Sequence, residues 1–363
     1  RSSLAVLDAN TGALEQQLDL QTGGPQRMAL NRTTGKLYTA GMEYTEVAVV
    51  DAQAVSLDSL VDIGNAVEDI AVAPSDGTAY FTNRLGGSTL MIYRPGSGAW
   101  NEVVTGGWPT AVDVDTGLNR LFVLSHYAGV VAAYALAPDP LNPTLLGNVS
   151  LGLTDSEDAL SSQTVDSTHH RVITTHPERD KVVIVDGSNL SVAATIGDVP
   201  SFAYSPQNTV GPGHLQPAVD EGLNKLYVLA LRQRKIDVFD GAANYAYLRT
   251  IDLTSQQWGW SNAFTDHVLF ADSSRHRLHV GPILIDTTTD TVTGVLPTGR
   301  GIVVAELDAA NNRLLTLDLV TSGAPAAGRR RQPAASVWRL NVLDASSFAL
   351  LSQTDLRDFT YVP

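Results

Sequence analysis

Residues 219–231 read Val-Asp-Glu-Gly-Leu-Asn-Lys-Leu-Tyr-Val-Leu-Ala-Leu. A short strand ends in Val-Asp, a tight turn passes through Gly222 and Asn224, and Lys-Leu-Tyr-Val-Leu returns as a second strand. The same design recurs as Ala29-Leu-Asn-Arg-Thr-Thr-Gly-Lys-Leu-Tyr-Thr-Ala40, Ala71-Val-Ala-Pro-Ser-Asp-Gly-Thr-Ala-Tyr-Phe-Thr-Asn83 and Val112-Asp-Val-Asp-Thr-Gly-Leu-Asn-Arg-Leu-Phe-Val-Leu124. Weaker copies start at Val165, Phe270 and Leu307, which makes seven hairpins.

A second hairpin alternates with the first. Its opening strand is apolar and ends in Asp, as in Leu4-Ala-Val-Leu-Asp8, Val47-Ala-Val-Val-Asp51 and Val182-Val-Ile-Val-Asp186. Further copies end at Asp240, Asp286 and Asp344, and Tyr93 and Tyr134 mark degenerate ones. Consecutive markers lie between 41 (Tyr93 to Tyr134) and 58 (Asp286 to Asp344) residues apart. A period above about 40 with four short strands per unit is the signature of propeller blades. One such blade cannot bury both of its faces, and stacking blades around an axis does so. The expected fold is therefore an all-β propeller of four-stranded antiparallel blades, one domain over residues 1–363. Strands a and b come from the first hairpin, c and d from the second. Seven a–b hairpins against eight c–d hairpins favour seven blades with an extra hairpin or a strand exchange at the closure. Eight blades is the alternative, with N- and C-terminal strands (the latter from Phe359-Thr-Tyr-Val-Pro363) closing the ring.

Lys36-Leu-Tyr-Thr-Ala, Ala79-Tyr-Phe-Thr-Asn83 and Lys225-Leu-Tyr-Val-Leu resemble the Tyr-Val-Thr-Asn signature of the YVTN-type, lactonase-like propellers. Gly106-Gly-Trp-Pro-Thr-Ala-Val-Asp resembles that family's Gly-x-x-Pro element. The resemblance spans nearly the whole chain and implies the propeller fold. For activity it implies several things at once, because the family hosts enzymes, redox partners and binding proteins.

Composition narrows the function. A net charge of −14 argues against nucleic acid, whose phosphates need a basic surface. No apolar run is long enough for a transmembrane helix. Cysteine is absent, which removes thiol nucleophiles, disulfides and thiolate metal sites. The abrupt start at Arg1 reads as a mature chain whose signal peptide has been removed, so the expected location is secreted or periplasmic. No Gly-x-Ser-x-Gly elbow or phosphate loop occurs.

In a propeller the d–a and b–c loops share one face, and here several of those loops are long. His126 and His176 end b strands, His214 lies in a d–a loop, and His267 begins a strand a. Neutral imidazoles meeting at a channel mouth suit one divalent metal ion, a transition metal or Ca²⁺ with Asp155, Glu157, Asp158 or Asp266 adding oxygens. The same residues equally fit a scattered polar rim. Glu43, Glu68, Arg84, Trp108, Arg232, Trp258 and Trp260 map to that rim and suit a small polar ligand or a protein partner. His169, His170 and His276 fall in a–b turns on the opposite face and read as solvated, whereas His279, inside a strand, reads as packing. No catalytic residue is singled out. The leading function is a binding or scaffold module working through the loop-rich face. The alternatives, implied by resemblance, are a metal-assisted hydrolase or lyase and a non-catalytic propeller subunit of a redox enzyme.

Overall fold

A computed structural model gives the architecture. It describes residues 3–8, 14–22, 27–41, 45–83, 87–125, 127–152, 162–176, 181–197, 215–231, 233–256, 269–296, 302–308, 312–321 and 336–356. These form thirty β-strands and no helix, so no helix is long and apolar enough to cross a membrane. Twenty-eight strands build seven four-stranded antiparallel sheets, each from four consecutive strands in the order a-b-c-d. This is a seven-bladed β-propeller. The inner strands of blades 1 to 7 are Arg27–Asn31, Val67–Val72, Pro109–Asp115, Gln163–Asp166, Leu215–Asp220, Leu269–Asp272 and Ile302–Asp308.

Among the described residues the remaining two strands, Ser3–Leu7 and Leu14–Asp19, pair with each other; the expected closing strand at Phe359–Pro363 lies outside the described residues. The surplus c–d hairpin thus stands as a separate two-stranded sheet. Every blade, including the first and last, takes its four strands from one continuous stretch of chain.

The chain divides into two compact units. One comprises Arg1–Leu4, Gln17–Pro217 and Asn224–Thr250 and contains blades 1 to 4; the other comprises Ala5–Gln16, Ala218–Leu223 and Ile251–Pro363 and contains blades 6 and 7. Blade 5 has strands in both.

Burial follows the strand patterns. The b and c strands are apolar on both faces, as in Arg120–Ser125 and Lys181–Asp186, and both faces are buried. The d strands alternate half-buried and exposed residues, as in Ala99–Val104, because only one of their faces meets another blade. Between blades 1 and 2, Tyr38, Val47 and Val49 pack on Val67, Phe81, Met91 and Tyr93. Tyr38 meets Phe81 and Tyr93 edge-on, with ring centroids 6.1 and 6.4 Å apart. Tyr80, Leu90 and Ile92 of blade 2 pack on Val112, Leu121 and Val123 of blade 3, and Phe122 and Leu124 face Val172, Val183 and Val185 of blade 4. In the second unit, Leu284 and Leu296 of blade 6 pack on Leu314 and Leu343 of blade 7.

Polar staples join the a–b turns of neighbouring blades. Asn31 ends strand a of blade 1; its Oδ1 accepts the N–H groups of Thr33 and Thr34, and its Nδ2 donates to the Ala73 carbonyl of blade 2 at 2.7 Å. Tyr38 donates its hydroxyl to the Gly77 carbonyl at 2.6 Å. Between blades 3 and 4 the chemistry changes. Asp115 is fully buried; its Oδ1 caps the Leu118 N–H, and its Oδ2 lies 3.0 Å from Nδ1 of His170. The Thr116 N–H donates to Ser167 Oγ. The second unit repeats this device. Asp220 Oδ2 lies 3.3 Å from His276 Nδ1 and accepts the Thr287 hydroxyl at 2.6 Å, while Glu221 N–H donates to Ser273 Oγ. His170 and His276 are part-exposed, as expected of turn residues, and each also sets Nδ1 against a buried carboxyl group. Both sit at positive φ, 57° and 52°, just before strand b, where Asn119, Asn224 and Asn312 stand in other blades. That backbone turn aims the ring at the preceding Asp.

Close approach imposes glycine at the partner turns. A Cβ on Gly117 would lie 2.7 Å from His170 Cε1 and 2.9 Å from the Ser167 carbonyl. Gly222 faces His276 and Ser273 in the same way at 3.2 and 3.4 Å. Arg120 and Arg277, each first in its strand b, add a further link. Arg120 donates to the carbonyls of Gly187 and Ser188 in blade 4, and Arg277 to those of Ala345 and Ser346 in blade 7.

Candidate binding site on the inner strands

The inner strands of blades 2, 3 and 4 carry polar side chains at positions where alternation alone would permit apolar ones. Strand a of blade 2 contains Glu68 and Asp69, with an irregular register between Val67 and Ile70. That bulge inserts an extra residue, which re-aims the side chains there. Asp69 Oδ2 reaches across to blade 3 and accepts the Val112 N–H at 3.0 Å. Its Oδ1 accepts the Ile70 N–H at 2.9 Å. Arg27 of blade 1 donates through Nε to the Glu68 carbonyl at 2.8 Å. Trp108, half-buried, immediately precedes the blade 3 inner strand, whose register also shifts between Pro109 and Ala111.

Asp113 lies between these elements. Gln163 of blade 4 donates through Nε2 to its Oδ2 at 3.3 Å and to the Phe122 carbonyl at 3.2 Å. Asp113 is half-buried. Burial first, and the nearby charge of Asp69 second, push its carboxyl well above the ordinary carboxylate range, and the Gln163 hydrogen bond pulls the other way. Desolvation disfavours the charged form, and a like charge adds to it. The pair therefore offers two states. With the proton held, Asp113 is a donor next to an acceptor carboxylate. A cationic group brought alongside would favour releasing the proton and leave two carboxylates facing it. A carboxyl pushed above its ordinary range by burial and a neighbouring like charge is a usual mark of a working site.

Of the rim residues expected from the sequence, Glu68 and Trp108 lie at this cluster. Glu43, Arg84, Arg232, Trp258 and Trp260 lie outside the described residues, as do His126, His214 and His267. His176 is described: it ends strand b of blade 4, is fully buried, and has Nε2 3.0 Å from Thr174 Oγ1. Among the described residues no group of three His, Asp or Glu side chains could hold a metal ion. His279 is the packing residue expected. It is buried, stacked on Phe270 at 4.4 Å and edge-on to Phe348. Sequence reasoning passed over Asp113 and Gln163. The available signal was the Val-Asp-Val-Asp of residues 112–115, which puts Asp113 on the same side of the strand as the turn-capping Asp115.

No protein-family model and no curated protein matches the chain. Solved structures do. A dihydro-heme d1 dehydrogenase, NirN, in complex with DHE matches 97% of this chain and 71% of its own, at 14% identity and a TM-score of 0.67. Sqt1 of Saccharomyces cerevisiae matches 90% of this chain and 83% of its own, at 9% identity and 0.64. The β-propeller domain of Cps50 (Swd1) from Myceliophteria thermophila matches 82% and 93%, at 10% identity and 0.51. Identities this low establish a shared β-propeller fold and no more.

Proposed function

We propose that the chain is a binding and scaffold module. Its blades form the rigid support, and the loop-rich face bearing Glu68 and Trp108 presents the Asp69–Asp113 pair to a protein partner or a small polar ligand with a cationic group. The observation that carries this reading is the Asp113 carboxyl, held well above its ordinary range by burial and by Asp69. An asparagine would fill the same space without that penalty, so a carboxyl at this position fits recognition of something positive. The Tyr-Val-Thr-Asn-like strands support membership of the YVTN-type propellers, and an exported location, secreted or periplasmic, goes with that resemblance. A site-specific benzophenone residue at Asn65, in the turn leading to Glu68, tests the reading in cells that make the protein. One discrete crosslinked species is expected from Asn65 and none from Ser75 in the a–b turn of the same blade. Equal or diffuse crosslinking from both positions overturns it.

A further inference from the structure

Ala99–Val104 is strand d of blade 2 and the last strand of its sheet. Its side chains alternate between two environments. Asn101 and Val103 are held by blade 3: Asn101 donates through Nδ2 to the Leu141 carbonyl and to Asn142 Oδ1, both at 3.1 Å, and Val103 packs against the core shared by blades 2 and 3. Trp100, Glu102 and Val104 point the other way and are exposed. Val104, at 71%, and Trp100, at 63%, are the two most exposed large apolar side chains among the described residues. Scattered single apolar residues on a surface need no explanation, but these two share one face of one strand, with an acidic side chain between them. The strand pairs with Thr89–Arg94, which sets Trp100 beside Tyr93 and Glu102 beside Met91, and both of those partners are buried in the core between blades 1 and 2. The stripe therefore carries that core outward on a strand whose other face is fixed. The last strand of a sheet presents backbone N–H and C=O groups to a strand added beside it.

We propose that Ala99–Val104 is a docking edge for an extended segment of a partner protein in which a lysine or arginine stands two residues from an apolar residue on either side. The segment adds as a fifth strand of blade 2, with its apolar residues against Trp100 and Val104 and its cation against Glu102. Charge selects this occupant. In an antiparallel pairing of two copies centred on the stripe, Glu102 would stand opposite Glu102, and each copy brings a net charge of −14. A basic segment of another protein meets neither penalty. Trp100 supplies the large aromatic anchor on which such contacts rely, and the Asn101 bonds keep the strand ordered before anything binds. The surface is separate from the Asp69–Asp113 pair, because Asp69 lies on the innermost strand of this blade and the stripe on the outermost.

The probe is the peptide Thr-Ile-Thr-Lys-Thr-Ile-Thr, capped at both ends and added to the intact chain, with a second peptide that carries Glu in place of Lys. Amide hydrogen exchange across Ala99–Val104 is the readout. Saturable slowing of roughly tenfold at alternate amides is expected with the Lys peptide and not with the Glu peptide. Glu102→Lys should reverse that preference, and Trp100→Ser should weaken binding of the Lys peptide by roughly tenfold. Both side chains are exposed, so both variants should keep the parent's melting temperature. No slowing, equal slowing by the two peptides, or unchanged binding in either variant overturns the proposal. Slowing that appears with protein concentration alone would assign the stripe to a second copy of the chain and also overturn it.

Discussion

The junction between blades 1 and 2 and that between blades 3 and 4 do the same job with different chemistry. At the first, the neutral side chains of Asn31 and Tyr38 bind carbonyls of the next blade beside the a–b turns. At the second, a fully buried carboxylate is clamped by an imidazole from the next blade. A neutral staple loses one hydrogen bond when cut. Cutting the other leaves a fully buried carboxyl oxygen, Asp115 Oδ2, without the ring that faces it, a larger penalty. The two junctions should therefore be about equally firm when intact and very unequal when damaged.

His170→Ala tests that inequality most severely. It leaves Asp115 Oδ2, fully buried, without the ring that faces it and should cost about 3 kcal/mol in chemical denaturation. His279, in the second unit, sharpens the contrast because it has no anionic clamp of this kind. Burial first, with Asp272 opposing and Arg277 assisting, pushes its imidazole down to about 4 from an ordinary 6.5. The unfolded chain therefore takes up the proton first as pH falls. Stability from this site is full above about 6.5 and is lost between about 6.5 and 4, by roughly 3 kcal/mol. His279→Leu should flatten that part of the stability–pH curve.

Gly117→Ala should cost about 2 kcal/mol, because the new methyl meets a backbone carbonyl and the His170 ring. Gly222→Ala, with 3.2 and 3.4 Å available, should cost clearly less, and thermal melts of the two variants rank them. Tyr38→Phe removes the neutral staple and leaves the Gly77 carbonyl unpaired, at about 1 kcal/mol. If it matched His170→Ala, the distinction between the two junctions would fail.

The repeat made most of the fold legible. Strand alternation, Gly and Asn turns and a period above about 40 residues were enough for blades, and the count of seven a–b hairpins matches the seven four-stranded sheets. The histidine clamps were not legible. Asp115 and His170 are 55 residues apart, and their meeting depends on how adjacent turns align. In hindsight the alternation of Asp-x-Gly-Leu-Asn in blades 3 and 5 with Asp-Ser-x-x-His in blades 4 and 6 records it. Glu68, expected just before strand a of blade 2, lies within it, and Trp108 immediately precedes strand a of blade 3. Asp113 was missed because one polar residue in an alternating strand looks like a solvent-facing position, and only the neighbouring blade shows that Gln163 reaches it.

The central claim is that Asp113 is kept for recognition at the expense of stability. Its raised folded value means the native state holds a proton that the unfolded chain releases, so this site lowers stability as pH rises. The direct measurement is urea unfolding of the parent and of Asp113→Asn between pH 4 and 8, with crosslinking from Asn65 recorded on the same proteins. The account predicts that the variant gains on the parent as pH rises, by about 1 kcal/mol or more at pH 8, and loses the crosslinked species. A variant that is less stable at every pH, or that crosslinks as the parent does, would contradict it.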